Sequence, residues 1–306
     1  MLYFRMDYTG ETAALATAFL WSFTSIFFTL AGRRIGSYWV NKFRMPLAAL
    51  FLSITMFFTS GRFWPSDISS DAFLFLTLSG IIGLALGDTC LFRAFVILGT
   101  RLTLLIFTVS PIIAALTAWI ILGEKLGLMA ILGIGITVSG VAWVTAERSQ
   151  KAEKNNYADQ GSKAVGILLA LGGAAGQAIG LVLAKSGMSD GADPLPATFI
   201  RMITAAAGIW LFSLFRGEIG RTAGKLKDRR ALLLAVGGTV CGPFLGVWLS
   251  LVAVNNTEAG IAAAIMATVP VMVIPLVIII YKEKVSIRAF IGAIIAAGGV
   301  ALLFLG

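Results

Sequence analysis

The chain has 306 residues, 58% of them apolar and only 13% charged, with a mean hydropathy of +0.92, which excludes an ordinary soluble domain and makes a lipid bilayer its solvent. With no histidine, and with Cys90 and Cys241 both inside apolar runs, neither a zinc or haem ligand cluster nor a disulfide framework can be assembled, so no cofactor is expected. The net charge of +9 sits largely in short gaps between hydrophobic segments and reads as a topology signal, not as a nucleic-acid surface.

Apolar windows long enough to cross about 30 Å of hydrocarbon as helices fall near 12–31, 38–60, 72–98, 102–122 and 126–146. The first is too long for a secretory h-region and is taken as a span. After the polar stretch ERSQKAEKNNYADQGSK (147–163), further windows follow near 164–185, 196–215, 231–255, 259–281 and 286–305. Glycines inside these windows do not argue against helix, because small residues let helices approach closely in lipid. GIGITVSG (133–140) and GGAAGQAIG (172–180) are therefore expected to be packing seams.

The phrase PIIAALTAWIILGEK (111–125) returns as PVMVIPLVIIIYKEK (270–284). At a constant offset of 159, residues 83–144 and 242–303 share 16 identities in 62 ungapped positions, among them Gly83/Gly242, Gly87/Gly246, Pro111/Pro270, Glu124/Glu283 and Lys125/Lys284. FRMPLAA (43–49) matches IRMITAA (200–206) at an offset of 157. An odd number of helices per repeat returns the chain on the opposite side of the membrane, so the second half must be inverted. The expected fold is an all-α polytopic membrane protein of ten transmembrane helices in two inverted five-helix repeats, 1–149 and 164–306, joined by a polar linker at 150–163.

GDTCLFRAF (87–95), SPIIAALTAWIILGEK (110–125) and ILGIGITVSGVAWV (131–144), with their second-half echoes, resemble the EamA family of the drug/metabolite transporter superfamily. The resemblance covers nearly the whole chain, although none of these motifs is stringent alone. It implies ATP-independent export or exchange of small metabolites such as amino acids, in a bacterial cytoplasmic (inner) membrane. It names no substrate.

Counting basic residues on each side of the spans gives 16 on the side opposite the N-terminus against four on the N-terminal side: Arg5, Arg62, Lys125 and Lys185. The positive-inside rule then puts both termini outside. Better-known members of the resembling family are drawn with both termini inside, so the charge bias and the resemblance conflict.

Ionisable groups within spans are costly and usually face a partner or a cavity. Asp88, about 15 Å from the end of its helix, reads either as a coupling or substrate-contacting carboxylate or as a structural bridge near a local break at Gly87. Arg93, five residues on, lies on another face, so it either snorkels to the interface or binds an anionic group. Phe92 and Phe95 share the face of Asp88. The repeat mates Arg44 and Arg201 read first as snorkelling anchors, and alternatively as gates closing in turn on backbone carbonyls or Glu258. Trp21 and Trp248 are candidates for substrate-facing rings, while Asn255, Asn256 and Gln177 add polar groups. The Glu124-Lys125 pair is expected to mark a membrane boundary.

The leading expectation is a secondary transporter that alternates access around a central cavity between the repeats, moving a small polar or amphipathic solute. Proton or sodium coupling would rest on Asp88. An uncoupled facilitator and a lipid-headgroup flippase are the alternatives. A membrane-embedded enzyme lacks a nucleophile-base pair in this sequence. Oligomeric state is not readable.

Overall fold

The structure is a computed structural model that describes residues 8–66, 68–98, 100–146, 162–215, 217, 228–281 and 286–304. Regular structure among the described residues is helical throughout. The first repeat comprises α1 (Thr9–Ile35), α2 (Ser37–Ser60), α3 (Ser70–Ser79), a π-helical segment π1 (Gly80–Gly87), α4 (Asp88–Leu98), α5 (Thr100–Phe107), α6 (Ser110–Leu122) and α7 (Leu128–Ala146). The second comprises α8 (Lys163–Ser186), α9 (Pro194–Phe215), α10 (Arg229–Thr239), π2 (Val240–Phe244), α11 (Leu245–Asn256), α12 (Ala259–Met266), α13 (Val269–Tyr281) and α14 (Ile287–Leu303).

These elements form five crossings per repeat. Eight crossings are long and apolar enough to span a membrane, and Leu128–Val144 and Ile287–Leu303 are shorter apolar helices. The linker and the Glu283-Lys284 echo lie outside the described residues.

Four of the helices begin where a side chain takes up a free amide. Ser69 accepts from the Ala72 amide at 3.2 Å, Ser162 from Val165 at 3.3 Å, Asp228 from Ala231 at 3.1 Å and Ser286 from Ala289 at 3.2 Å. At Gly123 the chain adopts φ +68°, a left-handed conformation suited to glycine, and α6 ends there.

The repeat extends to its irregularities. The third crossing of each half contains a π segment, and residues 80–87 shifted by 159 overlap 240–244. Pro243 within π2 has no amide to donate, which favours a widened turn. The fourth crossings break at equivalent places, after Phe107 and after Met266, and each resumes with a proline in its opening turn, Pro111 or Pro270, where the missing amide costs nothing.

The halves interlock. The first helix of each repeat packs against the third and fourth crossings of the other: α1 against α10–α13, and α8 against α3–α6. The repeat mates α2 and α9 pack against each other, as do α7 and α14.

Both glycine seams lie at these crossings. A Cβ on Gly176 would stand 2.8 Å from the Gly87 Cα, and one on Gly180 would stand 2.6 Å from the Gly83 Cα. In the α7–α14 pair, a Cβ on Gly140 would stand 2.8 Å from the Ala296 Cα. Without a hydrophobic driving force between helices in lipid, such close backbone approach supplies much of the attraction.

Candidate substrate pathway

π1 delivers Asp88 to the interior. Its helix begins where π1 is wedged against α8 by Gly176 and Gly180, and the Ser79 hydroxyl donates to the Gly180 carbonyl. The Asp88 carboxylate accepts from Arg44 Nη2 on one oxygen and from Gln177 Nε2 on the other. Arg44 also donates through Nε to Asn41 Oδ1 at 2.7 Å, and its guanidinium lies over the Phe92 ring at 5.0 Å and the Phe28 ring at 5.6 Å. One node thus ties α2 and α4 of the first repeat to α8 of the second. It is fully internal, the Arg44 and Asp88 side chains being 10% and 7% exposed.

This arrangement corrects the expectation that Arg44 and Arg201 snorkel. Both are buried, and Arg44 closes on Asp88, not on Glu258 or backbone carbonyls. The physical reason is that an interior acid offers Arg44 a partner, whereas snorkelling would leave Asp88 alone. Arg201 is 2% exposed, and its Nε and Nη1 have no hydrogen-bond partner. Arg93 is exposed, on a different face from Asp88. The side chain of Phe95 lies outside the described set.

The tryptophans line helix crossings. Gly246, the repeat mate of Gly87, leaves room for Trp21, since a Cβ there would stand 2.5 Å from the indole Nε1. Trp248 stacks on Phe244 with centroids 6.3 Å apart, and Phe244 meets Phe51 at 5.7 Å. This aromatic run borders an apolar groove of about 250 Å³ lined by Phe51, Ile54, Thr55, Val240 and Phe244.

A second polar centre lies at the mouth on the N-terminal side. Glu124, whose helix-end position marks a membrane boundary, also has partners of its own. The turn at Gly123 directs it inward, where Oε2 accepts from the Ala259 amide at 2.9 Å and so neutralises the N-terminal end of α12. Lys185 Nζ stands 2.6 Å from Glu124 Oε1, an ion pair too bent for a hydrogen bond, and donates to the Thr257 carbonyl at 2.6 Å. The Thr257 hydroxyl donates to Glu11 Oε1 at 2.7 Å. Together with Asn255, Asn256 and Glu258 these groups line a recess of about 450 Å³, a volume suited to a small solute. Lys125 beside it is exposed, as a boundary residue would be.

Sequence reasoning missed the partners more than the charges. Asn41 precedes Arg44 by three residues, and that spacing could have flagged it. Lys42, fully buried and donating to Ser213, with its ammonium 4.6 Å from the Trp39 ring centroid, was signalled only by being a charge within the 38–60 span.

The interlocked fold is shared with a solved crystal structure at a TM-score of 0.70, covering 95% of this chain and 96% of that one at 14% identity, a level that speaks to fold alone. No curated protein matches the chain. The profile of the EamA-like transporter family matches twice, over residues 8–146 and 164–305, one match per repeat. With both five-crossing halves matched and interlocked about buried ionisable groups, the chain belongs to the EamA-like transporter family.

Proposed function

We propose that the protein is a secondary transporter, an exporter or exchanger of a small polar or amphipathic metabolite such as an amino acid. Access alternates as the two repeats rock about the Arg44–Asp88–Gln177 node. The observation that carries this reading is the node itself, a charged pair deep within the spans whose third member comes from the opposite repeat. A node made only for stability could be replaced by apolar packing at little cost, whereas a moving interface needs polar groups that can exchange partners.

The mouth recess is the entry vestibule on the N-terminal side, and the Glu124–Lys185 pair is its latch, because it joins α6 and α8 of opposite halves. By the charge bias this face is extracytoplasmic, and the membrane is the bacterial cytoplasmic one. Asp88 is the site at which proton or sodium coupling would act.

Counterflow of radiolabelled amino acids, nucleosides and sugars in proteoliposomes tests the transport reading. Saturable exchange of at least one soluble solute is expected, and activity confined to lipid-linked substrates would replace the reading with a flippase. Asp88→Asn under an imposed pH gradient tests coupling, and undiminished gradient-driven accumulation would reduce the protein to an uncoupled facilitator.

A further inference from the structure

The buried charged side chains among the described residues are Lys42, Arg44, Arg201 and Asp88, three cations and one acid. Two of the cations are satisfied. Arg44 holds Asp88 and Asn41, while Lys42 donates to Ser213 beside the Trp39 ring. Arg201 is not, since its Nε and Nη1 are enclosed without an acceptor. A buried polar group left unpaired is a rare and costly feature, and costlier still when it carries a full charge.

The inverted repeat explains why the acceptor is missing. Arg44 and Arg201 occupy matching places in FRMPLAA and IRMITAA, but the position matching Asp88 at the 159-residue offset is Val247. Gly87 packs against the backbone of Gly176 and Gln177, whereas its mate Gly246 packs against the Trp21 indole, which has no acceptor to offer. The first half therefore carries an acid hydrogen-bonded to its own arginine, whereas the arginine of the second half feels the charge of Asp88 only at a distance and keeps Nε and Nη1 without an acceptor.

We infer that the transported solute bears a carboxylate and that Arg201 binds it, in the place that the acid takes in the first half. The inference rests on the transporter reading and names its substrate class. A carboxylate is the chemistry that Asp88 already presents to Arg44, and guanidinium forks favour it. Arg201 lies about 10 Å into α9 from the mouth on the N-terminal side, the side of the polar recess. At 2% exposure the guanidinium is sealed in this conformation, so the solute reaches it only when the helices part.

The test uses the full chain in proteoliposomes and pairs each acid with its decarboxylated partner: L-leucine with isopentylamine, and L-phenylalanine with phenethylamine. Pyruvate, succinate, glycerol phosphate, uridine and glucose complete the panel. The expected result is counterflow of at least one carboxylate, no competition from its amine, and a loss of about 100-fold or more in Arg201→Gln, as for a site that loses its hydrogen-bonding partner. Arg201→Lys should retain part of the activity with a raised KM and little change in kcat, which a merely structural lesion would not produce. If Arg201→Gln is not monodisperse, the Lys variant alone decides.

Amines competing as well as acids, glycerol phosphate or neutral solutes moving in place of carboxylates, or an unchanged KM in Arg201→Lys would each overturn the inference while leaving transport standing. No counterflow of any solute would instead remove the transporter reading beneath it.

Discussion

Replacing Asp88 by asparagine removes the single buried acid described in the interior while keeping the side chain's shape. Asparagine still offers Gln177 an acceptor oxygen, so the loss falls mainly on Arg44, whose charge is left without a counterion in a site where both side chains are 10% exposed or less. Solvent screening offers little relief at that depth. Breaking a buried pair by removing one partner costs about 3–5 kcal/mol. For a chain of this size that corresponds to a fall in Tm on the order of 10 °C.

The assay is a double-mutant cycle of Asp88→Asn, Arg44→Met and the double variant, with unfolding followed in a defined detergent. The double variant loses the uncompensated charge, so it should be destabilised by less than the sum of the singles, with a coupling of about 2 kcal/mol or more. By comparison, Gln177→Ala removes one hydrogen bond to a charged group and should cost about 1.5–3 kcal/mol, with the ion pair intact. Additivity of the Asp88 and Arg44 effects within about 0.5 kcal/mol would refute the reasoning, because it would mean that the two groups do not sense each other.

Three further outcomes follow from the packing and the charges. Gly180→Ala drives a Cβ to 2.6 Å from the Gly83 backbone and should destabilise by about 1–3 kcal/mol, whereas Gly135→Ala meets nothing within 4 Å and should be neutral or stabilising by up to about 1 kcal/mol; thermal unfolding of the two compares them directly. Glu124→Ala removes the carboxylate that pairs with Lys185 and accepts from the Ala259 amide, and it should speed labelling of a cysteine placed at Asn255 in the recess; an unchanged rate would show that the latch does not hold the mouth. Asp228 accepts from Arg34 Nε at 2.8 Å and from the Ala231 amide, and these bonds hold its carboxyl below the usual carboxylate range. Because the folded value is depressed, its stabilising effect is present above the ordinary carboxylate pKa and is lost as pH falls through the depressed value. Fraying of the first turn of α10, read by a spin label there, should therefore appear only on strong acidification, and Asp228→Asn should lose that pH dependence.

Local rules were enough to place the helices. Twenty-residue apolar runs have one stable solution in lipid, and an odd count per repeat forces inversion, so the crossings and their symmetry were legible from residues such as Pro111/Pro270 and Gly87/Gly246. The glycine seams were legible for the same reason, since clustered small residues in a span have few other uses. What periodicity cannot give is the rotation of one helix against another. Asp88 is 44 residues from Arg44 and 89 from Gln177, and only the interlocking of α8 with π1 decides that these three converge. The same holds for Glu124, whose helix-end position announced a boundary while its contact with Lys185 and Ala259 depends on how α8 and α12 are stacked beside it. Hydrophobic length and repeat spacing are local properties of the chain, and they suffice for a two-fold helical frame in a bilayer. Which arginine is hydrogen-bonded to Asp88 and which keeps two nitrogens without an acceptor follows only from the folded chain, because it depends on side chains that meet across helices distant in sequence.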